Sequence, residues 1–182
     1  MLQDKYDDAA QWYEQKYVEG GWENNPYMKD EYDAHQFWMA NREVGKIISL
    51  GCGSGQDIEI LGNPDPNAFI GYDFSEGMLA NARKKFPHYK FVNCDCKLPI
   101  YDQCDILVSM FGTPNYIGLS TLMSHYQIFK AKHAFFVFYD ENYKDGFVDF
   151  CYRYTQDELQ SLLNAFNPII QKLNDNYYIV KW

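Results

Sequence analysis

The chain has 182 residues, 18% of them aromatic, and a formal net charge of −9. That length suits one domain with a sizeable core, from which roughly 70% of the unfolded surface is removed on folding. An acidic chain without a lysine or arginine stripe argues against nucleic acid as a partner, because neutralising phosphate supplies most of that affinity.

Residues 1–45 hold ten acids against four bases, so most of the negative charge sits there. They are also ring-rich: Tyr6, Trp12, Tyr13, Tyr17, Trp22, Tyr27, Tyr32, Phe37 and Trp38. Two readings stand side by side: a pair of amphipathic helices packed on a domain, or a cover over a site with Gly20-Gly21 as hinge. Next, Ile47 to Leu50 read as a short buried strand. Gly51, Gly53 and Gly55 then turn the chain into a helix over 55–61. Glycine tolerates positive φ there, and its missing Cβ lets a ligand touch backbone N–H groups. A second strand, 68–73, delivers Asp73 to the same sheet edge, where a carboxylate can accept both hydroxyls of a ribose. The pair predicts a nucleoside-binding βαβ unit.

The glycine spacing narrows the nucleoside. In G-x-G-x-x-G the third glycine packs a helix facing a pyrophosphate. Here that position is Gln56 and the third glycine comes one residue early, while the absence of a following Gly-Lys-Ser/Thr excludes a P-loop. The run Leu50-Gly51-Cys52-Gly53-Ser54-Gly55 resembles motif I of the class I S-adenosylmethionine-dependent methyltransferases. A glycine-rich loop in an ordinary α/β domain and a NAD-type Rossmann domain are the alternatives.

Downstream, Ser75 with Glu76, Met78, Leu79 and Ala82 marks the start of a helix over 75–86. It ends in Arg83-Lys84-Lys85, a cluster suited to the helix dipole. In the family the segment 72–78 supplies an apolar face for adenine, which the resemblance assigns to Phe74 and Met78; a plain core role is the other reading. A strand over 89–93 leads to Asp95, by resemblance an acceptor for the adenine amine, with the Cys96 N–H on a ring nitrogen. A capping or surface role for Asp95 stays open. The next strand, 104–110, ends at Phe111-Gly-Thr-Pro-Asn-Tyr116. Ligands sit beyond the carboxyl ends of such strands. Similar enzymes hold the methionine amino group there by backbone carbonyls, here Ser109 or Met110. Thr113-Pro-Asn-Tyr116 lacks the double proline of base-modifying relatives, a second argument against nucleic acid.

Helices over 119–130 and 155–165 and a strand over 133–139 follow, Thr155 and Glu158 forming a capping box. Strand–helix alternation implies a mostly parallel sheet covered on both faces. At the end, 168–173 and 177–182 are strand-like runs separated by three residues, which forces an antiparallel pair. The resemblance implies a Rossmann-like three-layer α/β/α sandwich: a seven-stranded, mostly parallel sheet with one antiparallel strand near the C-terminus. It divides residues 1–182 into a helical lid over 1–45 and a core over 46–182. Tyr6-Asp-x-x-Ala-x-x-Tyr13 looks like the opening lid segment of small-molecule methyltransferases, and Asn25-Pro-Tyr27 recurs near their substrate pocket.

The five cysteines, at 52, 94, 96, 104 and 151, form no disulfide framework or metal-ligand spacing. Reduced thiols, a cytoplasmic setting and no metal are expected. The N-terminus has no apolar h-region and the longest apolar run, 134–139, is far shorter than a membrane span. Of the histidines, His88 and His133 read as surface residues, while His35 and His125 are the better candidates for a general base. Asp140, past the fifth strand, could pair with a cationic amine acceptor, though a solvated loop acid is favoured. The acids Asp145 and Asp149 lie in a short connection with little room for an acceptor-recognition insert.

The resulting expectation is methyl transfer from S-adenosyl-L-methionine, giving S-adenosyl-L-homocysteine, to a small-molecule acceptor. Gly51, Cys52, Gly53, Gly55, Asp73, Phe74, Met78, Asp95, Cys96, Met110 and Tyr13 are expected at the cofactor. Tyr6, Tyr27, Tyr116 and Asp140 are expected at the acceptor, with a homodimer left open. A non-catalytic accessory or sensor protein binding the same nucleosides is the rival reading.

Overall fold

The central strands of the sheet are short and buried on both faces. In the computed structural model, residues 2–18, 28–144 and 151–182 are described, with side chains for 3–11, 28–144 and 151–182. Seven strands run β1 (Ile47–Leu50), β2 (Phe69–Asp73), β3 (Lys90–Asn93), β4 (Ile106–Ser109), β5 (His133–Tyr139), β6 (Ile169–Lys172) and β7 (Tyr177–Lys181). Their order across the sheet is β3-β2-β1-β4-β5-β7-β6. The first five pair in parallel, and β7 alone runs against its neighbours β5 and β6. Every residue of β1, β2 and β4 is buried, the pattern that a sheet covered by helices on both faces demands.

Side chains alternate between the two faces. Ile47, Ile106, Val108, Phe135 and Val137 point into a layer with Phe37, Trp38, Ile58 and Leu79. Ile48, Leu50, Leu107, Phe136 and Phe138 point the other way, against Leu122, Phe129, Leu159 and Leu163. The helices are α1 (Leu2–Val18), α2 (Lys29–Asn41), α3 (Gln56–Ile60), α4 (Glu76–Lys85), α5 (Gly112–Ile117), α6 (Leu119–Ile128) and α7 (Gln156–Leu163). Ser75 caps α4 by accepting from Met78 N, and Thr155 and Glu158 close the expected capping box on α7. Lys85 at the end of α4 reaches Glu59 at 2.9 Å.

The strand expected over 104–110 is shorter, Ile106–Ser109; at its entry Asp105 bonds to Lys46 through both its backbone N–H and its carboxylate. The segment expected as a loop after β4 contains α5. The Gly20-Gly21 hinge, Tyr27, Asp145 and Asp149 lie outside the described residues, as does the side chain of Tyr13.

Phe135 is fully buried between the sheet and α2, its ring 5.2 Å from Trp38 and 6.1 Å from Phe37. Phe135→Ala is expected to cost about 3–5 kcal/mol, from lost apolar contact and the cavity left behind. Urea unfolding measures it; a cost below about 1 kcal/mol would show that α2 does not pack as described.

Candidate functional site

Register places the site. Leu50 of β1 lies opposite Tyr72 of β2, so the next residues, Gly51 and Asp73, emerge side by side at the carboxyl edge of the sheet. Gly51 N and Cys52 N both donate to Tyr72 O, at 2.7 and 3.1 Å. Gly51 (φ +77°) must be glycine: a Cβ there would fall 1.7 Å from Thr113 Oγ1, so the turn after β4 closes directly on it. Gly55 (φ +90°) is similarly fixed, by the Phe86 ring 2.8 Å from its would-be Cβ. Among the described residues the surroundings over Gly53 are open, with Gln56 Oε1 at 3.8 Å the only atom within 4 Å of a would-be Cβ.

The Asp73 carboxylate is 5% exposed and shared between two backbone donors, Gly53 N to Oδ2 and Ser75 N to Oδ1, each at 2.9 Å. Burial raises its pKa to about 6 against those N–H groups, with the charge of Asp7 adding to the rise. Each carboxylate oxygen keeps a further lone pair for a hydroxyl donor. Asp57, on α3, is a second buried acid; its carboxylate accepts from Ser49 Oγ of β1. Burial moves its pKa to about 7, Ser49 opposing the shift and Asp73 adding to it. The sequence reading missed Asp57, yet a serine inside an otherwise apolar buried strand was the available signal.

Helix α1 is fastened over this edge. Asp7 Oδ1 accepts from Ser75 Oγ and Gly77 N, Asn81 Nδ2 donates to Ala10 O, and Ala9 and Ala10 bury Met78. Met78 therefore belongs to the α1–α4 packing, where Ser54 Oγ donates to its sulfur at 3.2 Å. Half-buried Phe74 presents the open face: Tyr6 meets it edge-on at 5.4 Å, and Tyr116 lies near-parallel at 6.4 Å. Tyr6 Oη also approaches Gly112, 3.6 Å from where a Cβ would be, so its side chain spans from the β2 end to α5. Lys97 Nζ sits over the Tyr116 ring at 3.7 Å.

Asp95 is exposed and accepts from Lys97 N and, through its carbonyl, Leu98 N, forming a tight turn. The same turn is gripped from behind by buried His125, whose Nε2 donates to Cys96 O at 2.8 Å. Burial lowers the pKa of His125, which stacks on Phe129 and is a core residue. His35 approaches Ile60 O with Nδ1 at 3.0 Å. His88 and His133 precede β3 and begin β5, at the opposite edge. Among the described histidines, none stands at the carboxyl end of β4.

At that end Met110 is buried and Phe111 turns sharply, with φ +58° and ψ −106°. An L-aromatic in this conformation is strained, and such strain persists only where its surroundings enforce it. Asn115 enforces it: its amide donates to Phe111 O while its Oδ1 accepts from Tyr139 N at 2.8 Å. Asp140 is not the solvated acid favoured from sequence. It is 1% exposed, accepts from Asn142 N and Nδ2, and lies 3.2 Å from Lys172 Nζ. Burial alone would raise its pKa, but the bonds from Asn142, Tyr178 and Lys172 outweigh it and hold the carboxyl at about 2. All five cysteines are free, and no metal-holding cluster occurs among the described residues. No described helix is long and apolar enough to cross a membrane.

Residues 47–127 match the family model for a methyltransferase domain. Over these residues the chain is similar to that family. Over 50 residues it is 44% identical to trans-aconitate 2-methyltransferase of Variovorax paradoxus (strain S110), a match covering 27% of this chain and 19% of that protein. An Acidovorax (strain JS42) enzyme of the same name is 46% identical over 50 residues, with the same coverage. The chain thus spans about a fifth of the length of these relatives. The fold is similar to that of the DhpI–SAH complex, at TM-score 0.73 and 16% identity, covering 99% of this chain and 93% of that one. Magnesium protoporphyrin IX methyltransferase from Synechocystis PCC 6803 with bound SAH gives TM-score 0.70 at 15% identity, covering 99% and 96%.

The raised pKa of Asp57 makes the fold's stability fall with pH. Between its ordinary value of 3.8 and about 7 the folded chain holds a proton that the unfolded chain has released. The favourable contribution is complete below the unfolded value and lost as pH rises through the folded one. Asp57→Asn lacks this loss. Its stability relative to the parent should rise on the order of 2 kcal/mol from about pH 5 to pH 7.5, read by urea midpoints. A pH-independent difference would refute the assignment.

Proposed function

We propose that this protein is an S-adenosylmethionine-dependent methyltransferase acting on a small-molecule acceptor. The observation that carries the reading is the Asp73 carboxylate, held by Gly53 N and Ser75 N beside the open space over Gly53. The residues present fit the nucleoside. Asp73 would accept the ribose hydroxyls, Phe74 would face the adenine, and Asp95 and the Cys96 N–H would serve its polar edge. Gly51 and the Met110 carbonyl would hold the methionine portion, with Tyr6 and Tyr13 from α1 above and Gly55 setting the turn below.

Bound there, S-adenosylmethionine supplies a methyl group already activated by a sulfonium charge. The chain's task is then placement: a dry, fixed geometry at the β4 end, where Asn115 holds the Phe111 turn, and exclusion of water by α1. Orientation of this kind supplies several kcal/mol without a dedicated base. This agrees with the four histidines lying elsewhere among the described residues. Tyr116, beside Phe74, and Tyr27 are the acceptor-side residues in this reading. Asp140, paired with Lys172, supports the β5 end from beneath. A cytoplasmic setting accords with five free thiols.

Asp73→Ala should weaken binding of both S-adenosylmethionine and S-adenosylhomocysteine at least about tenfold in calorimetric titration, through loss of charge-assisted hydrogen bonds. Unchanged affinity would overturn the ribose assignment. In the parent protein, affinity should also decline as pH drops below about 6, where Asp73 takes up its proton and stops accepting at one oxygen. A profile flat from pH 7.5 down to about pH 5 would contradict that role.

A further inference from the structure

Beyond the carboxyl ends of β4 and β5, four aromatic rings come together. The strained Phe111 meets Tyr177 edge-on at 5.3 Å. Tyr177 opens β7 directly opposite Tyr139, the last residue of β5, at 5.7 Å between rings. Tyr143 stacks on Tyr139 at 3.7 Å and lies 5.5 Å from Tyr177. This wall's link to the site is Phe111, which follows Met110 at the β4 end, where the proposed reading puts the methionine portion.

The charge around the wall is negative. Helix α2 begins here with Asp30 and Glu31, and the Asp30 carboxylate is tied to Asn174 Nδ2 in the β6–β7 turn. Burial, then Tyr143, Asp30 and Glu31, raise the pKa of Tyr177, placing both carboxylates within electrostatic reach of its ring. Two of the lysines in this region are paired with carboxylates, and Arg153 is held by backbone carbonyls. Lys172 pairs with Asp140, Lys29 with Asp33, and Arg153 donates to Tyr143 O at 2.7 Å and to Cys151 O.

Ring faces are electron-rich, and rings combined with carboxylates are the chemistry that recognises ammonium groups. We propose that this wall, with Asp30 and Glu31, selects a cationic amine as the methyl acceptor. The inference rests on the methyltransferase reading and names its substrate class. A polycarboxylate, the acceptor class named for the sequence relatives, would meet like charge here. An ammonium has no lone pair, so the bound amine first passes one proton to water; the freed lone pair then forms the N–C bond as the donor's C–S bond breaks onto sulfur.

The test separates this wall from the cofactor reading. Protein saturated with S-adenosylhomocysteine is titrated with choline, with its neutral isostere 3,3-dimethylbutan-1-ol, and with trans-aconitate. Choline should bind about tenfold tighter than the alcohol, with trans-aconitate weakest. Asp30→Asn and Tyr177→Leu, each checked for fold by circular dichroism, should weaken choline binding several-fold and leave affinity for S-adenosylhomocysteine unchanged. Equal binding of choline and the alcohol, preference for trans-aconitate, or no choline binding at millimolar concentration would each overturn the proposal. If S-adenosylhomocysteine itself fails to bind, the cofactor reading falls. The choline comparison on the unliganded protein then still decides the wall.

Discussion

The site depends on one backbone oxygen. Tyr72 O accepts from both Gly51 N and Cys52 N, locking the first turn of the glycine loop to the end of β2. The parallel register of β1 and β2 makes this unavoidable once Leu50 stands opposite Tyr72, because each chain then leaves the sheet at its next residue. A slip of one residue would turn every side chain of β2 to the other face and carry Asp73 with it. The buried apolar side chains of both strands forbid that slip, so the hydrophobic pattern of the core fixes the position of a polar site.

Three carboxylates cluster around that edge. Asp57 lies below the loop, Asp73 within it, and Asp7 reaches in from α1. Burying like charges together is unfavourable, and Asp57 and Asp73 respond by holding their protons more tightly than carboxyls in water. Sites are often where a fold accepts such a cost. Asp7 also links parts that would otherwise be independent: one side chain caps the start of α4, positions Ser75 beside Asp73, and fixes the helix that carries Tyr6. The cover and the ribose acid are therefore mechanically joined.

Much of this was legible in the sequence, for identifiable reasons. The glycine triplet, Asp73 and the strands around them were readable because apolar runs and glycine turns are local signals. The hairpin at 169–181 followed from a connection too short for a crossover. Asp7 and Asn115 were not readable, since each earns its role from partners far away in the chain: Asp7 from Gly77, Asn115 from Tyr139. Asp140 was misread as solvated because Lys172, which neutralises it, lies thirty-two residues on. Helix α5 was read as loop because Gly112 and Pro114 suppress helical propensity, and it is the Phe111 turn and Asn115 that hold it in place.

The antiparallel β7 has a consequence for how the chain reaches this state. It is an interior strand, seated between β5 and β6, yet it comes last in sequence among the seven. Until residues 177–181 are made, β5 presents a bare hydrogen-bonding edge carrying Ala134-Phe-Phe-Val-Phe-Tyr139, an apolar β-prone run of the kind that pairs with other chains. Covering that edge falls to β7, since β6 reaches the sheet only through it. Sealing and the assembly of the aromatic wall are then a single event, because the strand that covers β5 is also the one that brings in Tyr177.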